Sequence, residues 1–307
     1  MPAVTSAFAD LLSTKFQVFL VNKGKEVPRL WPQWIASEEM DTNPYISEKI
    51  SGMPAQLVKP EGQQFTSGQP TMGGSFQVTA TPYGQIFSIT WELYRDDKYG
   101  VMGQMWGSMA QNTRTRQEVQ AFGALMNNAF SVNTGYDAMP FFTAVTSVAG
   151  TGHPDLDGTF QGNRPSPDVT LSQTAVQAGQ VNFDLLNDEL SLPINYRATR
   201  LLLNPSNRYL AREILGSGGK AQTADNDMNS LWSDDLTWGV SRYITRTQDW
   251  ALFAPIGDTD VQFMWRDHPR ARAFDDPFIE AMDNTNYQRF AVRSGDWRGG
   301  YGSSVGY

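Results

Sequence analysis

A mixed α+β fold is what this sequence predicts, and three observations predict it. QIFSITWEL at 85–93 alternates its side chains as a strand does. Residues 98–129 then carry apolar side chains at helical spacing over a length unusual for a globular helix. The final third resumes short strand-like pieces at LTWGVSRYI, DWALFAPI and VQFMWR. That order suits returning strands in an α+β domain better than a consecutive βαβ series.

The elements follow in order. Val4, Phe8, Leu11, Leu12, Lys15 and Phe19 recur at spacings of three and four, which predicts an amphipathic helix. It either docks on its own domain or reaches a neighbouring subunit. From 26 to 80 the texture changes to Pro, Gly, Gln and Ser between brief apolar pieces, so no long helix is expected. An extended segment with a protruding loop or hairpin fits, with a turn near GQPTMGG and a strand beginning at Phe76, Val78 and Ala80. So long an excursion needs a use, and packing against another chain supplies one.

Asp96 and Asp97 follow the strand at 85–93. Paired carboxylates suggest acid–base chemistry, but a helix start needs an N-cap, and Asp97 fills that role without catalysis. Inside the helix, Met102, Met105, Trp106, Met109, Ala110, Thr113, Gln117, Ala121, Ala124 and Leu125 mark the inward face. Arg114, Arg116 and Glu118 are placed on the polar side. Gly103, Gly107 and Gly123 each cost about 1 kcal/mol of helix propensity, reasonable where another backbone comes close. A helix is expected through Leu171, Ala175, Val176 and Ala178. Leu201–Leu203 read as a buried strand, Asn204-Pro205 as the start of a short helix, and Leu210, Ile214 and Leu215 as its apolar face. RDHPRARAFDDPF reads as a loop before another strand in NYQRFAVRSGDWRGGYGSS.

Composition narrows the function. The 307 residues suffice for a substantial core and two structural regions. A net charge of −8 disfavours a broad basic surface for nucleic acid. With 40% hydrophobic and 12% aromatic residues the chain folds rather than remaining an acidic tail. There is no cysteine, hence no disulfide, thiolate nucleophile or sulfur-ligated metal. The N-terminus lacks a secretory pattern and no apolar run approaches a membrane span, so a soluble protein is expected.

Individual motifs are weak. His153 beside Asp155 and Asp157 suggests a metal, yet the only other histidine is His268 and HPDLDG departs from the calcium-loop pattern, so a capped turn is the better reading. GSGGKA at 216–221 lacks the Ser or Thr that should follow Lys220 and comes after a helix, so it reads as a surface loop. No Gly-x-Ser-x-Gly elbow occurs, and no catalytic residue, metal or cofactor is assigned. A carbohydrate-processing hydrolase using two sequence-distant carboxylates remains the alternative from a different class.

Taken together, ISEKISGMPAQLVKPEG, YGQIFSITWELYRDDKYG, the helix at 98–129, LPINYRATRLLLNPSNRYLAREIL and FAVRSGDWRGGYGSS resemble the major capsid proteins of tailed bacteriophages. The resemblance is to the HK97-like family, particularly the major head subunit of Mu-like phages, and covers most of the chain in feature order. It implies an N-terminal arm (1–44), an extended loop (45–80), a peripheral domain (81–174) with a spine helix at 98–129, an axial domain (175–290) and a C-terminal strand and tail (291–307) returning to the main body. It further implies an icosahedral head of hexamers and pentamers around double-stranded DNA, assembled in the host cytoplasm with a portal protein and with separate scaffolding and decoration proteins as candidate partners. An arm starting almost at Met1 favours a separate scaffold or none over a long cleaved segment. Phe8, Leu12, Trp31, Trp34, Tyr45, Lys59 and Phe65 are the candidate intersubunit residues, with packing inside the chain as the alternative for each tryptophan and for Tyr45. Some members join a lysine to an asparagine between subunits. Lys59 has no matching partners, so no crosslink is expected. An encapsulin-like compartment is the nearest alternative on the same fold.

Overall fold

The computed structural model describes residues 16–18, 22, 28–65, 67–96, 100–132, 135–146, 151–216, 229–233, 236–276 and 281–306. The chain divides into two compact units, each assembled from three segments. The first comprises 1–45, 79–121 and 263–292; the second comprises 46–78, 122–262 and 293–307.

The first unit holds a four-stranded sheet in the order β1-β10-β11-β4, with β1 at Ala36–Glu39, β4 at Thr81–Thr90, β10 at Val261–Asp276 and β11 at Ala281–Ser294. β11 runs antiparallel to β4, from Ala281 opposite Thr90 to Phe290 opposite Thr81. Helix α2, Val101–Phe122, lies along one face of this sheet. Strand period two meets helical period there: Trp106 Nε1 donates to Asn284 at 3.2 Å, Asn286 Nδ2 to Thr113 at 2.6 Å, and Gln117 Nε2 to Gln288 at 2.8 Å. The inward assignment of Trp106, Met109, Ala110, Thr113, Gln117 and Ala121 therefore holds, whereas Met105 is exposed.

Glu118 corrects the expected polar side. It is buried, and its carboxylate accepts the backbone N–H groups of Leu30 (2.8 Å) and Trp31 (3.2 Å). Those amides open a short 3-10 turn, Trp31–Gln33, whose first donors lack a side-chain cap of their own. Burial pushes the Glu118 carboxyl up, and the two amides only partly oppose that.

Two strand boundaries also differ from expectation. β4 stops at Thr90, and Trp91–Arg95 form a short helix, α1, because the Thr90 hydroxyl caps the Leu93 amide. β10 continues through the stretch expected as a loop, to Asp276. Its odd positions Ala271 and Ala273 pack with Phe16, Trp106 and Met282, and this alternation overrides the breaking signal of Pro269.

The second unit holds a hairpin-like pair, β2 (Tyr45–Ile50) with β3 (Met72–Val78), and a two-stranded ribbon, β5 (His153–Pro154) with β6 (Phe160–Gln161). β2 takes its first residue, Tyr45, from the first unit. Met72–Gly74 are strand, not turn as expected. The unit's main sheet has the order β12-β9-β7-β8, with β7 at Arg200–Leu203, β8 at Thr237–Val240, β9 at Trp250–Phe253 and β12 at Gly300–Ser303. β7 and β8 are parallel, and β9 is antiparallel to both β7 and β12. Leu201–Leu203 and Trp250–Phe253 are fully buried, as the unbroken apolar runs require.

Helix α3, Gln173–Asp184, is capped by Ser172, whose hydroxyl accepts the Ala175 amide at 3.1 Å. It buries Ala175, Val176, Gly179 and Phe183, and a Cβ at Gly179 would lie 2.6 Å from Leu252 and 2.9 Å from Tyr301. Asn204 caps the turn begun by Pro205, and α4 follows at Arg208–Gly216. Its buried residues are Ala211 and Ile214; Leu210, expected on the apolar face, is exposed. A π-helical turn at Gly123–Asn127 follows α2.

Candidate assembly surfaces

The most exposed apolar stretch of the described chain lies between β2 and β3. Residues 52–65 are all exposed, and Met53, Leu57, Val58 and Phe65 stand in water, Val58 at 93% and Phe65 at 83%. Lys59 Nζ sits over the Phe65 ring at 4.5 Å, a cation–π contact within the segment itself. Ile46, Ile50 and Met72 extend the apolar surface onto the strands. Scattered single exposures are ordinary, whereas here four large apolar side chains are exposed within thirteen residues.

Strand alternation explains why this segment is anchored. In YISEKI, Ile46 and Ile50 face water while Ser47 and Lys49 turn inward. The Lys49 ammonium bonds the Asp296 carboxylate and reaches Glu189 at 2.7 Å. Arg298 continues the network to Asp155 at 2.5 Å, to Asp296 at 3.3 Å and to the Asn187 carbonyl at 2.7 Å. Ser47 accepts from Arg293, whose other nitrogen pairs with Asp260.

Electrostatics follow this geometry. Burial alone would lower the Lys49 pKa, but the Asp296 charge and the hydrogen bonds to Asp296 and Glu189 prevail and raise it. Burial alone would push Asp296 up, but Lys49 and Arg298 hold it below the usual carboxylate range. At Asp155 burial dominates, and its pKa is raised despite Gln161 and Arg298. These groups form a committed ion network rather than a poised acid–base pair. The cavity bordered by Asp137, Glu189 and Asp296 is about 40 Å³, far below the roughly 300–1,000 Å³ of small-molecule sites.

His153, Asp155 and Asp157 diverge. His153 is buried, bonds Asp137 at 2.5 Å and stacks on Trp297 at 4.3 Å. Asp155 turns to Arg298. Asp157 accepts the Thr159 amide at 2.9 Å, the capped turn that the sequence indicated, and hydrogen bonds from Ser191 and Thr159 lower it to about 2. Among the described residues no group of three or more His, Cys, Asp or Glu is arranged to hold a metal ion.

The sequence candidates separate. Lys59 and Phe65 lie on the exposed segment. Tyr45 is half-buried at the start of β2. Trp31 and Trp34 are buried inside the first unit, Trp31 stacked on Phe263 at 4.2 Å, which is the intrachain alternative. Phe8, Leu12 and Asp97 lie outside the described residues, as do 217–221 of the GSGGKA stretch. Sequence reasoning did not single out Ile46, Ile50, Met53, Leu57 or Val58. The alternation of YISEKI was a usable signal for the first two; nothing in the sequence joins Lys49 to Glu189 and Asp296.

Solved capsids share this chain's fold. The capsid of a native GTA particle aligns with a TM-score of 0.60 at 12% identity, covering 90% of each chain. The capsid of the cyanophage P-SCSP1u gives 0.57 at 10% identity, covering 90% of this chain and 87% of that one. The capsid of bacteriophage JBD30, decorated with minor capsid protein trimers, gives 0.57 at 13%, covering 71% and 92%. The family model described as phage capsid protein matches residues 75–303, and this chain belongs to that family. It is a structural protein, not an enzyme. No curated protein matches it. Among the described residues, no helix is long and apolar enough to cross a membrane.

Proposed function

We propose that this chain is the major head subunit of an HK97-like bacteriophage capsid, of the kind found in Mu-like phages, forming hexamers and pentamers that close around double-stranded DNA. In this reading residues 1–44 form the arm and 45–80 the extended loop. The peripheral domain is drawn from 81–174 with its spine helix at 98–129, the axial domain from 175–290, and 291–307 return to the main body. Helices α3 and α4 and strands β7, β8 and β9 fall mostly or wholly within the range given to the axial domain, and β12 falls in the returning C-terminal strand and tail.

The observation that carries the reading is the run of exposed apolar side chains from Met53 to Phe65 in a chain of the capsid family. Such a run is costly in water for a lone chain and finds its use against a neighbouring copy. Lys59 and Phe65 then act as intersubunit residues by packing, and no covalent crosslink is involved. Phe8 and Leu12 keep the role of arm contacts. Portal, scaffolding and decoration proteins are the expected partners, in a particle assembled in the host cytoplasm.

Negative-stain electron microscopy with a parallel mass distribution tests this. Closed shells, or free hexamers and pentamers, are expected. Replacing residues 54–64 with a short Gly-Ser linker should leave a folded chain that no longer closes shells. A monomer that never assembles, even with phage partner proteins, would overturn the proposal.

A further inference from the structure

The second unit buries a carboxyl group that the ion network around Lys49 does not reach. Asp249, immediately before β9, has no exposed surface. Its Oδ1 accepts the Ser304 hydroxyl at 2.7 Å, and among the described residues no group donates to Oδ2. An ionised carboxylate offers about four acceptor sites, so most of that capacity is unmet here. The arrangement suits the protonated form better, because a neutral group loses less when it is taken out of water.

Three segments meet around this carboxyl. On its own loop, Arg246 donates to the Ser304 hydroxyl at 3.0 Å and so reaches Asp249 through that serine. In the segment before α3, Asp168 accepts the Ser304 amide at 3.4 Å and pairs with Arg164 through two bonds, 2.9 and 2.5 Å long. At the end of β12, the Ser303 hydroxyl donates to the Val169 carbonyl at 2.8 Å and accepts the Val169 amide at 2.9 Å. Asp249 and Asp168 are thus like charges on either side of Ser304, and Arg164 is committed to Asp168. Burial pushes the Asp249 carboxyl up; the Ser304 hydrogen bond and Arg246 oppose that only in part, Asp168 adds to it and Arg164 opposes it. The Tyr301 phenol on β12 is likewise pushed up, by burial and by Asp168.

The strand beside this cluster is an edge. β12 has β9 as its one neighbouring strand, and on its outer side the Gly302 N–H donates to the Asn163 carbonyl at 3.0 Å. Local opening starts at such elements before it reaches the strands they flank. We infer that Asp249 is a proton-controlled clasp on β12: the strand is held shut while the carboxyl carries its proton and opens more readily once it is ionised. Opening withdraws Ser304 and admits water to both carboxyl oxygens, which returns Asp249 to its ordinary value. The closed state therefore binds the proton more tightly than the open one. Closure is strongest below the ordinary carboxylate range, weakens as pH rises from there to the raised closed-state value, and falls no further above it. Shell formation plays no part in this inference.

Hydrogen exchange of the full chain, read by mass spectrometry from mildly acidic to mildly alkaline solution, provides the test. Exchange times are scaled for the pH dependence of the chemical step. Residues 300–304 should lose protection severalfold as pH rises, while 201–203 of β7 keep theirs. Asp249→Asn, neutral at every pH, should abolish that dependence. Ser304→Ala removes the bond that favours the ionised carboxylate and should deepen the loss. Constant protection of 300–304 in the wild type would overturn the inference. So would an equal loss at 201–203, which marks opening of the whole unit, and so would an unchanged pH dependence in Asp249→Asn. Should thermal melts show that Asp249→Asn does not fold, Ser304→Ala decides, and a loss shallower than that of the wild type overturns the clasp.

Discussion

Replacing Arg298 with methionine tests how the base of the exposed segment is held. Arg298 and Asp155 are both buried, and the guanidinium serves Asp155, Asp296 and the Asn187 carbonyl together. Methionine keeps much of the volume but leaves Asp155 with a buried charge hydrogen-bonded by the neutral Gln161 and Thr159 side chains. Removing one partner of a buried pair costs about 3–5 kcal/mol. At roughly 2–4 °C per kcal/mol for a unit of this size, the melting midpoint should fall by about 6–20 °C.

The pH dependence supplies a second readout. Burial already raises the Asp155 pKa, and losing Arg298 removes a group that opposes the rise. In the variant the folded state therefore binds a proton at Asp155 more readily than the unfolded chain does. Its stability increases as pH falls through that raised folded value towards the ordinary carboxylate range, so the deficit relative to wild type should shrink as the pH is lowered from neutrality towards that range. Chemical denaturation at several pH values measures this, and Asp155→Asn combined with Arg298→Met should be less destabilised than Arg298→Met alone. A pH-independent deficit, or one below about 1 kcal/mol, would refute a buried, uncompensated Asp155 charge.

Two further substitutions probe the units separately. Gly179→Ala places a methyl group 2.6 Å from Leu252 and 2.9 Å from Tyr301, and should cost about 1–3 kcal/mol by overpacking, read by denaturant midpoint. Phe16→Ala removes a fully buried ring stacked on Trp106 at 4.9 Å and should cost about 3–5 kcal/mol. A neutral result would mean that Phe16 does not pack in the first unit's core.

Elements dictated by local pattern were legible in the sequence. Leu201–Leu203, the Asn204-Pro205 turn and the α3 helix depend on apolar runs, a cap and a short-range period, and each formed where those signals stand. The errors came where a distant group decided the outcome. Glu118 looks like a solvent-facing helix residue until Leu30 and Trp31 supply two amides from 88 and 87 positions away. Ala271 and Ala273 become strand residues because Phe16 and Trp106 give them a buried face. The exposed segment was recognisable from its Pro, Gly and Gln content, but its anchor joins position 49 to 189 and 296, and no period relates those positions.

The seam between α2 and β11 shows what such long-range pairing achieves. A purely apolar interface there would be stable in several registers, since one leucine packs much like the next when a helix slides by a turn. Here Asn284, Asn286 and Gln288 occupy alternate, same-face positions and meet Trp106, Thr113 and Gln117. Sliding the strand by one residue turns all three amides away from the helix, and sliding by two misaligns the pairs and strands buried donors. Each net hydrogen bond contributes only about 1 kcal/mol, but each broken pair leaves desolvated groups costing about 1–3 kcal/mol. The seam thus penalises wrong registers more than it rewards the right one. A shell subunit has particular use for that asymmetry, because an error in one copy is presented to every neighbour it touches.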